Sequence, residues 1–273
     1  MHKSQEPSPS YGILERAVSA DAVQSAVEQI DHLGYAVLDS GFSKEQIDEF
    51  RSIFDTTHSQ YVAIHGEDRL RQLDEFYGIR LPLAIEAKFL KLAQTPVVLN
   101  TIRGLLQGKF ILSQQNGIIN PPGEKYNQAA WHRDLPYQHF VSSRPIAINA
   151  LYCVDDFTLE NGATYVLPAS HKREAFPSEA FVNSNAVQVQ ASAGSFIVLD
   201  CMCFHRGGFN QSSYKRRAVN HLYTIPLIRQ QIDLAEALRD APLAPEDRDF
   251  LGMQYTTPKN VAAYLDTRSS KTY

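Results

Sequence analysis

The sequence contains few cysteines and no long apolar run. Its three cysteines, Cys153, Cys201 and Cys203, all lie in apolar stretches. We expect them to be small buried side chains in a reducing compartment and not a disulfide framework. No apolar run approaches the roughly 20 residues that a transmembrane helix requires. Residues 1–12 also lack the apolar core of a secretion signal. The expected location is therefore the cytoplasm, with no membrane partner.

Basic residues are not in excess either. The 273 residues include 26 Lys and Arg against 30 Asp and Glu, which gives a net charge of −4. A nucleic-acid-binding protein usually carries a basic face, so no nucleic-acid partner is expected. A hydrophobic content of 44% with 21% charged residues suits one globular domain over residues 1–273.

The first hundred residues show helical periodicity. Apolar residues from Val23 to Ile30 recur at three- and four-residue spacing, with Asp21 placed to cap this helix and Gly34 to end it. A second helix is predicted to begin at Ser43, whose hydroxyl can accept from the first-turn backbone. Two further helices are predicted over residues 85–94 and 96–107.

Short apolar runs separated by turn residues follow residue 109. They cover residues 110–115, 146–154, 163–167, 187–190, 195–199 and 218–225. Many short strands with turns between them favour a sandwich or barrel over a parallel sheet. The predicted fold class is mainly β with helical flanks, built on a double-stranded β-helix (a cupin-like jelly roll). Its expected parts are a helical segment 13–108, a jelly-roll core 109–226 and a helical tail 227–273.

A His-x-Asp pair lies in the middle of this β-rich region. His132 and Asp134 point to the same face if their segment is extended. With the distant His205 they would form a two-histidine, one-carboxylate set, which holds Fe(II) and leaves coordination positions open. Arg216 could bind a carboxylate through two hydrogen bonds. These residues predict a non-haem iron oxygenase that uses 2-oxoglutarate and O2.

The ligand set also predicts the type of reaction. In such enzymes 2-oxoglutarate delivers two electrons and leaves as succinate and CO2, while an unactivated C–H bond of a small molecule is oxidised. Sites that halogenate lack the carboxylate, so Asp134 favours hydroxylation, with desaturation, epimerisation or cyclisation as related outcomes. An alternative is a cupin-like metal-binding protein or isomerase without redox turnover. A thiolate metal site built from Cys201, Cys203 and His205 is less favoured, because no second ligand pair at zinc spacing accompanies it.

Several segments resemble the phytanoyl-CoA dioxygenase (PhyH) family of Fe(II)- and 2-oxoglutarate-dependent oxygenases, over roughly residues 33–226. They are Trp131-His132-Arg133-Asp134, the run from Glu160-Asn161-Gly162 to Pro168-Ala169-Ser170-His171, Ala193-Gly194-Ser195, and His205 with Asn210 and Arg216. The resemblance implies the jelly-roll core, the iron and the co-substrate. It also implies that His132, Asp134 and His205 are the iron ligands and that Arg216 binds the distal carboxylate of 2-oxoglutarate.

Other co-substrate contacts are less defined. Arg217 is the alternative to Arg216, although on a strand it points the other way. Gln115 falls where relatives often place a polar contact, with Gln114 as its rival, and Thr164 is a further candidate contact. Relatives often carry a hydroxyl residue where this chain has Gly207. One hydrogen bond to the co-substrate carboxylate is therefore expected to come from elsewhere.

Overall fold

Two antiparallel sheets form the core of the fold, and helices pack on one of them. The computed structural model describes Ser19 and residues 21–135 and 140–269. The strands are β1 (Tyr35–Asp39), β2 (Gly78–Arg80), β3 (Ile111–Asn120), β4 (Ala147–Cys153), β5 (Tyr165–Val166), β6 (Val187–Gln188), β7 (Ser195–Asp200), β8 (His205–Arg206) and β9 (Arg216–Thr224). The helices are α1 (Ala22–Leu33), α2 (Lys44–His65), α3 (Glu67–Gln72), α4 (Lys88–Ala93), α5 (Pro96–Leu106), α6 (Glu179–Asn185), α7 (Leu234–Ala237), α8 (Pro245–Phe250) and α9 (Val261–Ser269).

The predicted signals at the ends of the first helices are present. The Asp21 carboxylate accepts from the backbone of the first turn of α1, and Gly34 ends that helix with a φ of 84°. Ser43 and Gln46 form reciprocal side-chain to backbone hydrogen bonds at the start of α2, which is a capping box. Local sequence chemistry therefore fixes where these two helices begin.

The strand order is that of a jelly roll. The large sheet runs β1-β7-β4-β9-β3-β2 and the small sheet runs β6-β5-β8. Strands that are adjacent in a sheet are mostly distant in sequence, as crossovers between two sheets require. The predicted jelly-roll core is confirmed. In this register Arg216, at the start of β9, pairs with Asn120, at the end of β3.

Strand β4 is buried along its whole length because both faces of the large sheet are covered. Ile148, Ala150 and Tyr152 pack against the helices, whereas Leu151 faces the small sheet and Asn149 faces a cavity between the sheets. Alternation of side chains along a strand produces this division. A strand covered on both faces reads as continuously apolar, which is why a polar Asn149 within it is unusual.

The helical layer covers the outer face of the large sheet. Fully buried side chains such as Ile30, Phe54, Phe89 and Ile102 share one hydrophobic cluster with the sheet, and Leu251 from the tail joins it. Each such side chain contributes about 1.5–3 kcal/mol by its burial. Within the described ranges, no helix is both long enough and apolar enough to cross a membrane.

The tail differs from the expected helix. Residues 227–233 are not helical, and the first helix of the tail begins at Leu234, where the Asp233 carboxylate accepts from the Glu236 backbone. Gln230 donates from Nε2 to the carbonyl of Leu251 at 2.8 Å. This bond anchors the non-helical segment to the residue that follows α8. The tail expected to be helical over residues 227–273 thus becomes helical only at Leu234 and consists of short helices.

The Glu160-Asn161-Gly162 turn brings two loops close together. Gly162 has a φ of 76°, and a Cβ atom there would lie 2.4 Å from the carbonyl oxygen of Gly208. Only glycine fits such an approach. The turn leads into β5, where Val166 pairs with His205 on β8. A motif distant from His205 in sequence therefore positions the strand that carries it.

Candidate metal centre

Backbone pairing brings His132 next to His205. The N–H of each residue donates to the carbonyl of the other, at 3.0 and 3.1 Å. Two residues later, the N–H of Asp134 donates to the carbonyl of Cys201 at 3.1 Å. The His-x-Asp segment is thus extended beside residues 201–205, and both of its side chains share one face.

The three side chains converge on one point. Nε2 of His205 lies 3.5 Å from Oδ1 of Asp134, and the centroids of the two imidazole rings are 4.4 Å apart. One ligand atom from each residue lies within 4.8 Å of the others. Bonds of about 2.0–2.2 Å place two donors of one ion roughly 3–4 Å apart, which is close to these separations. The geometry therefore fits a metal ion bound by His132, Asp134 and His205.

Hydrogen bonds fix which imidazole nitrogen is free. Nδ1 of His132 bonds the carbonyl of Ala130 at 2.8 Å, and Nδ1 of His205 bonds the carbonyl of Cys203 at 3.0 Å. A carbonyl oxygen can only accept, so each Nδ1 carries a proton and, in the neutral imidazole, each Nε2 keeps a free lone pair. This arrangement is typical of metal-binding histidines.

Electrostatics prepare the carboxylate as a ligand. Burial opposes a charge on Asp134, but the neighbouring His205, helped by His132 and Asn149, lowers the pKa of Asp134 to about 2. Burial also opposes a charge on His205, yet the Asp134 carboxylate outweighs it and raises the pKa of His205. Burial lowers the pKa of His132, which favours its neutral form. An anion between two imidazoles is the charge arrangement that a divalent cation stabilises.

Asn149 holds the second oxygen of the carboxylate. Its Nδ2 donates to Oδ2 of Asp134 at 2.7 Å, which leaves Oδ1 toward His205.

We expect Asn149→Ala to weaken metal binding about 10- to 100-fold, since supporting residues of metal ligands have effects of this size. Anaerobic titration with Fe(II) measures this. Asn185→Ala, at an exposed asparagine on α6, should change nothing. Equal Fe(II) affinity of the Asn149 variant and wild type would contradict the prediction.

The cysteines do not join this group. Burial raises the pKa of Cys153, Cys201 and Cys203, so the thiols stay protonated. The three-ligand group found among the described residues contains no cysteine. Two other histidines also lie outside the group: His171 bonds the carbonyl of Asp31, and His221 bonds that of Ala150 in the core. The structure therefore favours the histidine and carboxylate set over a thiolate site.

Arg133, between the two metal-site residues, has a structural role. Its side chain points away from the centre and donates to the carbonyls of Met202 at 2.6 Å and Ser170 at 3.0 Å. The Ser170 hydroxyl in turn accepts from the N–H of Phe204 at 2.8 Å. The Pro-Ala-Ser-His segment and Arg133 together hold the loop before His205.

A narrow inner cavity adjoins the three side chains. Its lining includes Tyr126, Thr164, Gly207 and Arg216 besides the triad. Arg216 is only 3% exposed, and its guanidinium carbon lies 4.0 Å from the Phe157 ring centroid. Its Nη2 donates to the Tyr126 hydroxyl at 3.2 Å, whereas its buried Nε has no partner. No carboxylate of the described residues forms an ion pair with this cation.

Arg217 is held elsewhere. It forms ion pairs with Asp155 and Asp55, each at 2.7 Å, on the opposite face of β9. Of the two adjacent arginines, only Arg216 lines the inner cavity.

The two glutamines of β3 also point in opposite directions. Gln115 accepts from the N–H of Leu83 at 3.1 Å and donates to the carbonyl of Phe89 at 2.8 Å. It is thereby bound to the helical layer, so the structure does not bring Gln115 to the cavity where we expected it. Gln114 instead lines an outer cavity, which also borders His132 and Asp134. The remaining polar lining of this outer cavity includes Glu75, Arg80, Asn116, Asn127, Gln128 and Asn220.

Sequence reasoning missed Asn149 and Tyr126. Asn149 interrupts the apolar run Ala147-Ile148-Asn149-Ala150-Leu151, and a polar residue inside such a run signals a specific hydrogen bond. Tyr126 lies in a polar loop, where periodicity carries no information about its direction.

A jelly roll that holds two histidines and one aspartate around a common point is characteristic of non-haem iron oxygenases. The profile of the phytanoyl-CoA dioxygenase (PhyH) family matches residues 30–218. The chain belongs to this family and is a 2-oxoglutarate-dependent oxygenase, with Fe(II) as its metal and O2 as its second co-substrate.

Known proteins are similar to the chain in sequence or in fold. Rv1501 of Mycobacterium tuberculosis is 30% identical over 268 residues, which cover 95% of this chain and 96% of that protein. EctD from S. alaskensis, with bound Fe, gives a TM-score of 0.65 at 20% identity and covers 84% of this chain and 88% of its own. The epimerase SnoN, solved with Fe3+, alpha ketoglutarate and nogalamycin RO, gives 0.60 at 16% identity and covers 82% and 93%. The two structures share the fold with this chain.

Proposed function

We propose that the chain hydroxylates an unactivated C–H bond of a small molecule and releases succinate and CO2. In this proposal His132, Asp134 and His205 hold Fe(II), and Arg216 binds the distal carboxylate of 2-oxoglutarate. The observation that carries the proposal is the buried Arg216 guanidinium. It lies on the cavity that the three ligating side chains share, and it has no ion-pair partner within the described part of the chain.

A buried cation requires an anion nearby. Removing an ion from water costs several kcal/mol unless a partner offsets it. The distal carboxylate of 2-oxoglutarate would supply that charge while the 2-oxo acid end binds the metal. Thr164 lines the same cavity and offers a hydroxyl for a further hydrogen bond. A dicarboxylic 2-oxo acid therefore matches both ends of the inner cavity.

The role of Asp134 favours hydroxylation over halogenation. Bound iron, with 2-oxoglutarate and O2, supplies the oxidant that removes hydrogen from the substrate. The chain fixes the carboxylate of Asp134 through Asn149 and keeps it ionised. This carboxylate would fill the position that a halide needs.

The outer cavity favours a polar substrate. Carboxamides of Gln114, Asn116 and Asn220 line it, and the buried Oδ1 of Asn220 has no partner among the described residues. An apolar substrate would leave the Asn220 oxygen without a hydrogen bond, which costs about 1–3 kcal/mol. The Arg80 guanidinium is already bound to the Glu75 carboxylate through two hydrogen bonds, so the cavity does not require a charged substrate. We infer a small molecule that carries hydroxyl or amide groups.

Epimerisation is a second candidate outcome, because the fold is shared with the epimerase SnoN. The same metal and co-substrate would serve it. The products distinguish the two: an epimerase returns an isomer of the substrate, whereas hydroxylation adds one oxygen atom.

The proposal predicts a metal-to-ligand charge-transfer band when 2-oxoglutarate is added anaerobically to the Fe(II) protein. After O2 is admitted with a panel of polar small molecules, succinate release should equal substrate oxidation one to one. Absence of the band would contradict the proposal. Purification with zinc and no oxygen uptake would instead favour a cupin-like protein without redox turnover.

A further inference from the structure

Tyr126 and Gly207 meet at the wall of the inner cavity. The Tyr126 side chain is buried, and its hydroxyl oxygen accepts from Nη2 of Arg216 at 3.2 Å. A Cβ atom at position 207 would lie 1.9 Å from that oxygen and 2.7 Å from Cζ of the ring. Only glycine at position 207 leaves room for the tyrosine in this place.

The Tyr126 hydroxyl has a hydrogen left to donate. Burial raises the pKa of Tyr126 more than Arg216 lowers it, so the group is a neutral phenol and not a counter-ion for the guanidinium. Its oxygen already accepts from Arg216. Within the described part of the chain, no acceptor contacts the phenolic hydrogen. A neutral donor and a buried cation thus lie side by side on the same cavity.

We propose that the Tyr126 hydroxyl is a second anchor for the distal carboxylate of 2-oxoglutarate, next to Arg216, and that Gly207 lacks a side chain so that the ring can reach this position. The assignment rests on the proposed function. One carboxylate oxygen would accept from the phenol while the guanidinium supplies the charge. The pair would favour a dicarboxylic over a monocarboxylic 2-oxo acid, because a monocarboxylic acid leaves both donors unpaired.

The test compares two ligands in Tyr126→Phe. 2-Oxopentanoate has the same chain length as 2-oxoglutarate and binds metal through the same end, but it lacks the distal carboxylate. We expect Tyr126→Phe to weaken 2-oxoglutarate binding about tenfold or more, as for a lost hydrogen bond to a charged group. Its affinity for 2-oxopentanoate should stay within about twofold. Anaerobic titration of the Fe(II) protein, followed by the charge-transfer band, measures both constants.

Tyr223→Phe is the matched control. Tyr223 is also buried, and its hydroxyl donates to the carbonyl of Ala93 at 2.7 Å in the helical layer. Its loss should leave both ligand affinities unchanged. Wild-type affinity for 2-oxoglutarate in Tyr126→Phe would overturn the proposal, and so would an equal loss for both ligands. If wild-type protein binds neither 2-oxo acid, the proposed function fails as well.

Gly207→Ala tests the spatial half of the proposal. The added methyl group should displace the ring and weaken 2-oxoglutarate binding at least as much as Tyr126→Phe does. In a Tyr126→Leu background, whose shorter side chain removes the overlap, the same glycine substitution should have little further effect. Additive losses in the double variant would overturn the proposed contact. Thermal unfolding and Fe(II) binding of each variant verify that it is folded.

Discussion

Arg216→Met is expected to weaken 2-oxoglutarate binding by at least about 100-fold. Loss of one partner from a buried charge pair costs about 3–5 kcal/mol, and each 1.4 kcal/mol is a factor of ten in affinity. Methionine fills similar volume without charge, so the cavity wall is retained. Anaerobic titration of the Fe(II) protein with 2-oxoglutarate measures the change. The free energy of unfolding without ligand should be unchanged or higher, because an unpaired buried cation is removed.

Arg217→Met provides the control one residue away. Arg217 is paired with Asp155 and Asp55 outside the cavity, so its loss should lower the free energy of unfolding and leave the 2-oxoglutarate affinity unchanged. If this variant loses 2-oxoglutarate binding while Arg216→Met keeps it, the assignment of the two arginines is reversed. If both variants bind normally, neither arginine holds the co-substrate.

His132→Ala is expected to abolish iron binding and substrate oxidation while the fold is kept. Removal of one of three protein ligands should exceed the effect of about 100-fold that loss of a supporting residue can have. The half-buried imidazole lies beside the cavity and not in the core, so the unfolding temperature of the metal-free protein should change little. Metal analysis of the purified variant, together with Fe(II) titration and circular dichroism, measures these effects.

An exposed histidine serves as the control for this variant. His65, at the end of α2, lies outside the triad, and His65→Ala should retain iron and activity. Iron bound at wild-type level by His132→Ala would refute the assigned ligand set, whereas an unfolded variant would show that His132 is also structural. Asp134→Asn retains the shape of the carboxylate without its charge. It then tests loss of the metal site while the His132 side chain is kept.

Much of the fold was predictable because local chemistry specified it. The Asp21 cap, the Gly34 terminator and the Ser43 capping signal gave the first two helices, and turn residues separated the strands. Prediction was weaker for the tail, which was expected to be helical from residue 227. Residues 227–233 are not helical, because a tertiary contact from Gln230 to Leu251 holds this segment instead.

The convergence of the three side chains was predictable, and the surroundings of the candidate site were less so. His132 and Asp134 share a face because of their two-residue spacing, so an extended backbone sufficed to place them together. Gln115 was expected at the co-substrate, but alternation along β3 turns it toward the helices. Alternation shows that neighbouring residues point in opposite directions, but it does not show which direction is inward.

The sequence by itself determined the supply of donor groups: a His-x-Asp pair, a later histidine, two adjacent arginines and the turns of a jelly roll. Only the tertiary structure decided which of them meet. His205 joins the pair through backbone bonds between strands, and the phenol of Tyr126 reaches Arg216 because position 207 has no side chain. Such contacts join residues tens of positions apart, and they depend on strand register and on the space left by neighbours. Neither quantity is encoded in the spacing of residues along one segment.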